Sequence, residues 1–512
     1  VKFASSLLAL TFAAMAVQSS HAVTVIHSND VLGEIEPCGC RTNPLGGYAR
    51  KANFLKGLKD RELIQLDAGD LLFSADVIPE LLKNQSEFQA RYVLKVLDEL
   101  HHDVVVPGEK DFALGSKTFL NLISKSKIHF LAANLTRKNG SAFLPPSVIL
   151  TRKGTDGKTV RVAILGLVGS DLDWPKDLKA SDPIQMARQK IPELRKKADY
   201  VIALTHLGLD EDKKLAEKVK GIDFIVGGHT QSFLQTPLKV GSTTILQSSF
   251  RNQYVGQLDL SKDPKADDFY QLVGLDPNYD SPAGAPSTTD QLVDEFKTKL
   301  AEMNSHQDDV VPVNSAAAKF QTFPRCAECH LKQFDFWRKT PHMNALHALV
   351  AAKQDKNLEC LTCHTVGLGD PQGVNSVNQL AQLKTTEDGQ APLFLPNEEF
   401  ARYLKDVSEA KTIQDSVHSF LKKDSTDKFT VHNSLASIQN AWTPVQCENC
   451  HGAGHDHPFS GVMKKQVENT TCLSCHTQTR APEWYTSDGK PNLDKIKEKQ
   501  ALVACPAGDM TL

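Results

Sequence analysis

Past residue 22 the chain alternates short aliphatic and β-branched runs with longer stretches of mixed polarity. Val23-Thr-Val-Ile-His27, Leu63-Ile-Gln-Leu-Asp67, Val104-Val-Val106, Arg161-Val-Ala-Ile-Leu165, Val201-Ile-Ala-Leu-Thr205 and Asp223-Phe-Ile-Val226 predict buried strands. The amphipathic segments from Glu87 to Leu100 and from Pro183 to Lys197 predict helices between them. This alternation is the signature of an α/β layered domain. Polar residues gather just beyond the predicted strand ends: Asn29-Asp30, Gly69-Asp70, Gly108-Glu109, His206 and Gly228-His229. Open α/β sheets place their sites in the loops after the carboxyl ends of strands, so these residues are expected to converge although they lie far apart in sequence.

The pattern changes after residue 275. Asp276-Pro-Asn-Tyr-Asp-Ser-Pro-Ala-Gly-Ala-Pro286 is rich in turn formers, and Gln291 to Met303 then predicts a helix with Val293, Phe296, Leu300 and Met303 on one face. From Phe320 onward strand signals fade. The expected division is 23–275 for the layered domain, 276–319 for a linker and helix, 320–490 for a second domain and 491–512 for a tail. At the other end, Lys2, the apolar run Phe3 to Val17 and the small residues of Ser20-His21-Ala22 predict a secretory signal over 1–22, cleaved after Ala22. The run is too short for a membrane span, and no other stretch approaches the ~20 apolar residues a span needs. The expected location is the periplasm or beyond it.

What fills the second domain is written in its cysteines. Cys326-Ala-Glu-Cys329-His330, Cys360-Leu-Thr-Cys363-His364, Cys447-Glu-Asn-Cys450-His451 and Cys472-Leu-Ser-Cys475-His476 repeat one motif four times. Two thiols three residues apart can each add to one vinyl group of the same porphyrin, and the adjacent His then takes the iron. Eight of the eleven cysteines and four of the eighteen histidines are used this way. Zinc sites or a disulfide framework fit less well, since neither demands a His after every pair. The motifs therefore predict four covalently bound c-type haems. Such domains are held largely by haem packing, which accounts for the weak protein-only hydrophobic pattern there. Haem attachment outside the cytoplasm agrees with a secretory signal. The formal net charge of −3 over 512 residues gives no bulk electrostatic reason to expect nucleic acid or an anionic membrane as partner. The expected partners are redox proteins, and the sequence is silent on oligomeric state.

Ile26-His-Ser-Asn-Asp30, Gly46-Gly-Tyr-Ala-Arg50, Leu66-Asp-Ala-Gly-Asp70, Ala133-Asn-Leu135, Thr205-His-Leu-Gly208 and Gly227-Gly-His-Thr-Gln231 resemble the ordered motifs of the calcineurin-like metallophosphoesterases, in particular the secreted 5′-nucleotidase branch. The resemblance implies a layered sandwich with two metal ions that clamp attacking and leaving oxygens. It also marks departures. The His expected two residues after Asp30 is Leu32, the Asn-His pair is replaced by Glu109-Lys110, and the last His of the terminal motif is Gln231. Asp70, His206 and His229 are kept, with Glu109 as an oxygen donor beside them, so Asp30, Asp70, Glu109, His206 and His229 are the candidate ligands of one divalent ion. Active phosphoesterase, one residual metal and a metal-free scaffold are the three outcomes the residues allow. Cys38-Gly-Cys40, in the loop after Asp30, suits either a soft metal or a strained disulfide.

The C-terminal segment resembles tetrahaem cytochromes c of the type that carries electrons away from hydroxylamine oxidation. Trp337-x-x-Thr-x-His342 after the first motif and Gly452-Ala-Gly-x-x-His457 after the third carry the likeness. In that family most irons have a second, distal His, which makes His342 and His457 the leading distal candidates, followed by His347, His418, His432 and His455. Saturated iron favours electron transfer over ligand activation. The leading expectation is thus an exported tetrahaem electron carrier with a phosphoesterase-like docking, sensing or regulatory module. The alternative is an oxidoreductase or phosphohydrolase coupled to the haem chain.

Overall fold

The computed structural model describes residues 23–37, 44–154, 157–306, 319–327, 330–337, 339–370, 372–380, 442–455, 457, 463–478, 480–486 and 489–506. The expected secretory signal at 1–22, the Cys38 and Cys40 pair, Cys329, His418 and His432 lie outside the described residues, as does the side chain of His347.

The N-terminal half holds fourteen strands: β1 Val23–Ser28, β2 Glu62–Asp67, β3 Val104–Val105, β4 His129–Phe130, β5 Leu135–Arg137, β6 Ser147–Lys153, β7 Thr159–Val168, β8 Leu178–Ala180, β9 Tyr200–His206, β10 Phe224–Gly227, β11 Leu238–Val240, β12 Thr243–Leu246, β13 Tyr254–Asp259 and β14 Tyr270–Gly274. Two six-stranded sheets result, in the orders β14-β13-β1-β2-β3-β4 and β11-β12-β10-β9-β7-β6. The first has β1 to β4 parallel and β13-β14 antiparallel at one edge. In the second, β7, β9, β10 and β12 are parallel, with β6 and β11 antiparallel at opposite edges.

Side chains alternate across each strand, which assigns the layers. Val162, Ile164, Ile202, Leu204, Val226 and Leu246 face the first sheet and join Val25, Ile64, Leu66 and Val104 in one core. Their neighbours Ala163, Leu165, Val201, Ala203, Ile225 and Ile245 face outward beneath helices α4 (Pro183–Lys197) and α5 (Leu209–Lys218). Burial on both faces explains why the sequence shows these strands as continuous apolar runs. Asp182 caps α4 through Ile184 N and Gln185 N, with Pro183 in the first turn where its missing N–H costs nothing.

Between β2 and β3 runs α2 (Lys83–Glu99), and against it packs α6 (Thr288–Ser305), which opens with a Ser287–Asp290 capping box. Val293, Phe296 and Leu300 of α6 belong to the N-terminal core, so the helix expected to be a linker is an integral layer of the first domain. Next to α6, α1 (Tyr48–Lys56) buries Phe54 with Ile26, Val255 and Leu275.

The C-terminal half is different in texture. Its described elements include α7 (Thr322–Ala327), α8 (Leu331–Trp337), α9 (Ala345–Ala351), α10 (Leu358–His364) and the five-residue helices Cys447–His451 and Asn469–Leu473. Phe323, Phe334, Trp337, Leu346, Leu349, Leu358 and Leu361 form a small cluster of their own. The expected tail carries a helix, Leu493–Ala501, whose Ile496 packs on Trp484. No helix among the described residues is long and apolar enough to cross a membrane.

Candidate metal centre and haem-attachment sites

The six polar side chains that follow the parallel strands do meet. Asp30 comes after β1, Asp70 after β2, Glu109 and Lys110 after β3, His206 ends β9 and His229 follows β10. Asp30, Asp70 and His229 have φ values of 50°, 51° and 76°, left-handed conformations that non-glycine residues hold only where the surroundings enforce them. The enforcement is a backbone zipper: Asp30 N donates to Gly69 O at 2.9 Å, Leu32 N to Asp70 O at 2.8 Å and Arg251 N to Asp30 O at 2.8 Å. Gly108 is required by close approach, because a Cβ there would lie 2.1 Å from Asp70 Oδ1 and 2.6 Å from His206 Nε2.

His206 is fully buried, with Nδ1 2.6 Å from Ala68 O. A carbonyl can only accept, so Nδ1 carries the proton and Nε2 faces inward, 3.1 Å from Glu109 Oε2 and 3.5 Å from Asp70 Oδ1. A neutral imidazole would there turn a lone pair toward two carboxylates. Either a second proton or a metal ion resolves the clash. Burial alone would lower the His206 pKa, but Asp70 and Glu109 hold it well above the ordinary value. Glu109 is correspondingly held below the usual carboxylate range by His206 and His229, against the effect of its own burial.

Asp30 Oδ2 accepts from Asn29 Nδ2 at 2.8 Å and from His229 N at 3.1 Å, while its buried Oδ1 has no hydrogen-bond partner. Burial pushes this carboxyl up to about 7, with His206 pulling the other way. His229 Nδ1 stands 3.2 Å from Glu109 Oε1 without hydrogen-bond geometry and is likewise unpartnered. These side chains fall into two overlapping sets that share His206: Glu109, His206 and His229, and Asp30, Asp70 and His206, each with ligand atoms within 4.8 Å of one another. Oxygen plus imidazole is a donor set for a divalent cation of the manganese, iron or zinc kind.

Lys110 changes this balance. Its ammonium pairs with Asp70 Oδ2 and lies 3.0 Å from Glu109 Oε1, and its backbone N–H donates to Asp70 Oδ1 at 3.0 Å. Burial would weaken its charge, but Asp70 and Glu109 hold its pKa above the lysine norm. The residues present therefore offer two possible metal-binding groups, with a built-in cation against the same carboxylates. Leu32 is buried with φ 57° and Gln231 has φ 52°, so both keep a left-handed backbone without an imidazole side chain.

Of the residues that brace this site, Asn29 was read from the sequence only as a polar neighbour of Asp30, and Asp111 was not singled out. Asn29 ties the loop of Asp30 to the 248–249 turn, its Oδ1 accepting from Ser248 N at 2.7 Å. Asp111 accepts from Leu71 N, Leu72 N and Gly108 N at 2.7 to 2.9 Å and so locks the Asp70 and Glu109 loops together. A polar residue adjoining each ligand was the available signal.

In the C-terminal half, Cys326, Cys360, Cys363, Cys447, Cys450, Cys472 and Cys475 are half-buried and free of disulfides, whereas Cys505 is exposed. The thiols of Cys326 and Cys447 lie beside each other, as do those of Cys363 and Cys475. The first motif thus lies against the third and the second against the fourth. His364 Nδ1 is 2.8 Å from Ala345 O and His451 Nδ1 is 2.7 Å from Lys464 O. Donation from Nδ1 leaves Nε2 free for iron, which is the arrangement an axial imidazole requires. His330 and His457 have ring centroids 6.1 Å apart, and His342 and His476 6.3 Å apart. His455 is exposed, with its carbonyl accepting from Gln321 Nε2 at 2.6 Å.

Snake venom 5′-nucleotidase of Crotalus adamanteus is 30% identical over 234 residues, which cover 42% of this chain and 38% of that protein. The N-terminal half matches the 5′-nucleotidase and calcineurin-like phosphoesterases. The trifunctional nucleotide phosphoesterase protein YfkN of Bacillus subtilis is 24% identical over 286 residues, covering 48% of this chain and 18% of that one. Among solved structures, the 5′-nucleotidase precursor from Thermus thermophilus aligns at a TM-score of 0.45 and 22% identity over 62% of this chain and 66% of the other. The chain spans well under two thirds of the length of the curated relatives it matches. A family model described as cytochrome c554 and c-prime matches residues 325–387, which contain the first two attachment motifs. The molecule therefore joins a phosphoesterase-like half to a cytochrome half.

Proposed function

We propose that this protein is an exported tetrahaem c-type cytochrome that works in electron transfer, with the phosphoesterase-like half as a docking, sensing or regulatory module. The observation that carries the reading is the pairing of imidazoles. His330 and His457 have ring centroids 6.1 Å apart and His342 and His476 6.3 Å apart, so each pair brings two imidazoles close enough to hold one iron between them. His457 with His330, and His342 with His476, are the pairs that would hold iron. When bound, haem supplies one-electron storage at iron. The chain would attach it through the cysteines and hold its iron through imidazole nitrogens, which would favour electron transfer over ligand activation. Redox proteins are the partners this activity requires.

The same reading makes the N-terminal site a degenerate one. Asp30, Asp70, Glu109, His206 and His229 would hold a single divalent ion, while Leu32 contributes no donor and Lys110 stands where the resemblance places an imidazole. In-line phosphoryl transfer between two metals needs both positions, so hydrolysis of nucleotides is expected to be poor or absent. Haem quantitation, metal analysis and oxidised and reduced optical spectra on one purified sample test both parts. Four haems with low-spin spectra and no more than one metal ion per chain agree with the proposal. Two metal ions with vigorous phosphate release would favour the hydrolase instead.

A further inference from the structure

The cytochrome half touches its neighbour through one attachment motif in particular. Gln85, on α2, is 1% exposed and is hydrogen-bonded at both ends of its amide to the segment that opens α10. Its Nε2 donates to Asn357 Oδ1 at 2.6 Å, and its Oε1 accepts from Leu358 N at 2.9 Å and from Asn304 Nδ2 at 2.8 Å. Asn304, on α6 and fully buried, also donates to Lys356 O at 2.8 Å. Asn357 is the N-cap of α10, the helix that carries Cys360, Cys363 and His364. Leu358 and Leu361 of that helix are fully buried in a cluster against which Leu81 and Leu82 of the N-terminal half pack.

A second line of contacts reaches the same place from the candidate metal centre. Six residues beyond Asp30, Glu36 accepts from Gln354 Nε2 at 2.8 Å and from Lys297 Nζ of α6 at 2.8 Å. Gln354 Oε1 in turn accepts from Asn357 Nδ2 at 2.8 Å. Between Asp30 and Glu36, Gly33 O accepts from Gln89 Nε2 at 2.7 Å, one turn along α2 from Gln85. Among the described residues the other three motifs have no such hydrogen bonds to the phosphoesterase-like half. Their helices are tied to each other, as when Glu448 accepts from Gln321 N and Thr322 N, or to the second motif, as when Arg480 pairs with Glu359.

We propose that Gln85 and Glu36 are positioning residues for the second haem: they fix its attachment helix on the phosphoesterase-like half, so that this half sets the potential of that haem and meets the electron-transfer chain there. The inference rests on the reading of the Cys-x-x-Cys-His motifs as haem sites. Its physical basis is that a buried amide hydrogen-bonded at both its nitrogen and its oxygen resists displacement, since a shift strands a polar group out of water. Burial and hydrogen bonding near a haem are in turn what tune its potential.

The test is spectropotentiometry on the full-length holoprotein. Gln85→Leu, which fills the space and removes the hydrogen bonds, is expected to move one midpoint potential and leave the others in place. The midpoint that moves should be the one altered by His364→Met, and Glu36→Gln should move the same one by less. Asn304→Ala removes one spoke of the network and supplies the same readout should Gln85→Leu fail to accumulate. Unchanged midpoints in both Gln85→Leu and Asn304→Ala, or a shift assigned to another motif, would overturn the proposal. Haem quantitation on each sample separates this from failure of the haem reading, which would show as fewer than four haems in the unmutated protein.

Discussion

The phosphoesterase-like half buries two sheets and their flanking helices against one another with protein side chains alone, whereas the cytochrome half sets its motifs on and beside helices of five to seven residues. Helices so short are not stable by themselves. The clusters beside them are small, and the cysteines and histidines that line them are groups that a protein core does not need. One chain thus contains a core built from valine, isoleucine and leucine and another that, on the proposed reading, is completed by covalently attached haem. The difference also separates what each half can tolerate.

The contrast should show most visibly when haem attachment is prevented. Replacing all four cysteine pairs by alanine should leave the cytochrome half open to protease while residues 23–306 stay protected and keep their strand-rich circular dichroism. Equal protection of both halves without haem would mean the second core is complete by itself.

The next largest effect concerns hydrolysis. Because Leu32 and Gln231 supply no imidazole and Lys110 places a cation on Asp70, phosphate release from nucleoside monophosphates with manganese should be very slow. Installing Leu32→His, Glu109→Asn, Lys110→His and Gln231→His together should raise it by ~100-fold or more. Wild-type turnover at ordinary phosphoesterase rates, lost in Asp70→Asn, would contradict this. Within the cytochrome half, His342→Met and His457→Met should each change the spin state or potential of one haem, and of different haems.

A smaller effect is expected in the N-terminal core. Burial, and then the charge of Lys51, lowers the His27 pKa to about 3. As pH falls from 6.5 toward 3, the unfolded chain takes up a proton that the folded one refuses. Stability should therefore fall with pH in that window, by about 1.4 kcal/mol per unit from this group. Denaturant unfolding of His27→Gln should show a flatter acid slope, and an unchanged slope would rule out His27 as its source.

Much of the first half was legible because its strands are buried on both faces. The run Val201 to Thr205 became β9, Tyr200–His206, and the segment Pro183 to Lys197 became α4 with the same ends. The second sheet's edges were not legible: β6 alternates exposed and buried residues, and β11 has three residues of which none is fully buried. The convergence of Asp30, Asp70, Glu109, His206 and His229 followed from their place after strands. A cation of Lys110 beside them followed from its place in the Glu109-Lys110 replacement, but its pairing with Asp70 and Glu109 in particular did not. Nor did the role of Gln85, since a lone glutamine on a helix has solvent as its default surroundings.

Completion of the cytochrome half by four covalent haems is open to direct measurement. Intact-mass determination of the mature protein under denaturing conditions reads it out, because thioether-bound haem stays with the chain. A mass increased by four haems is expected, and a chain carrying two or fewer would contradict the proposal.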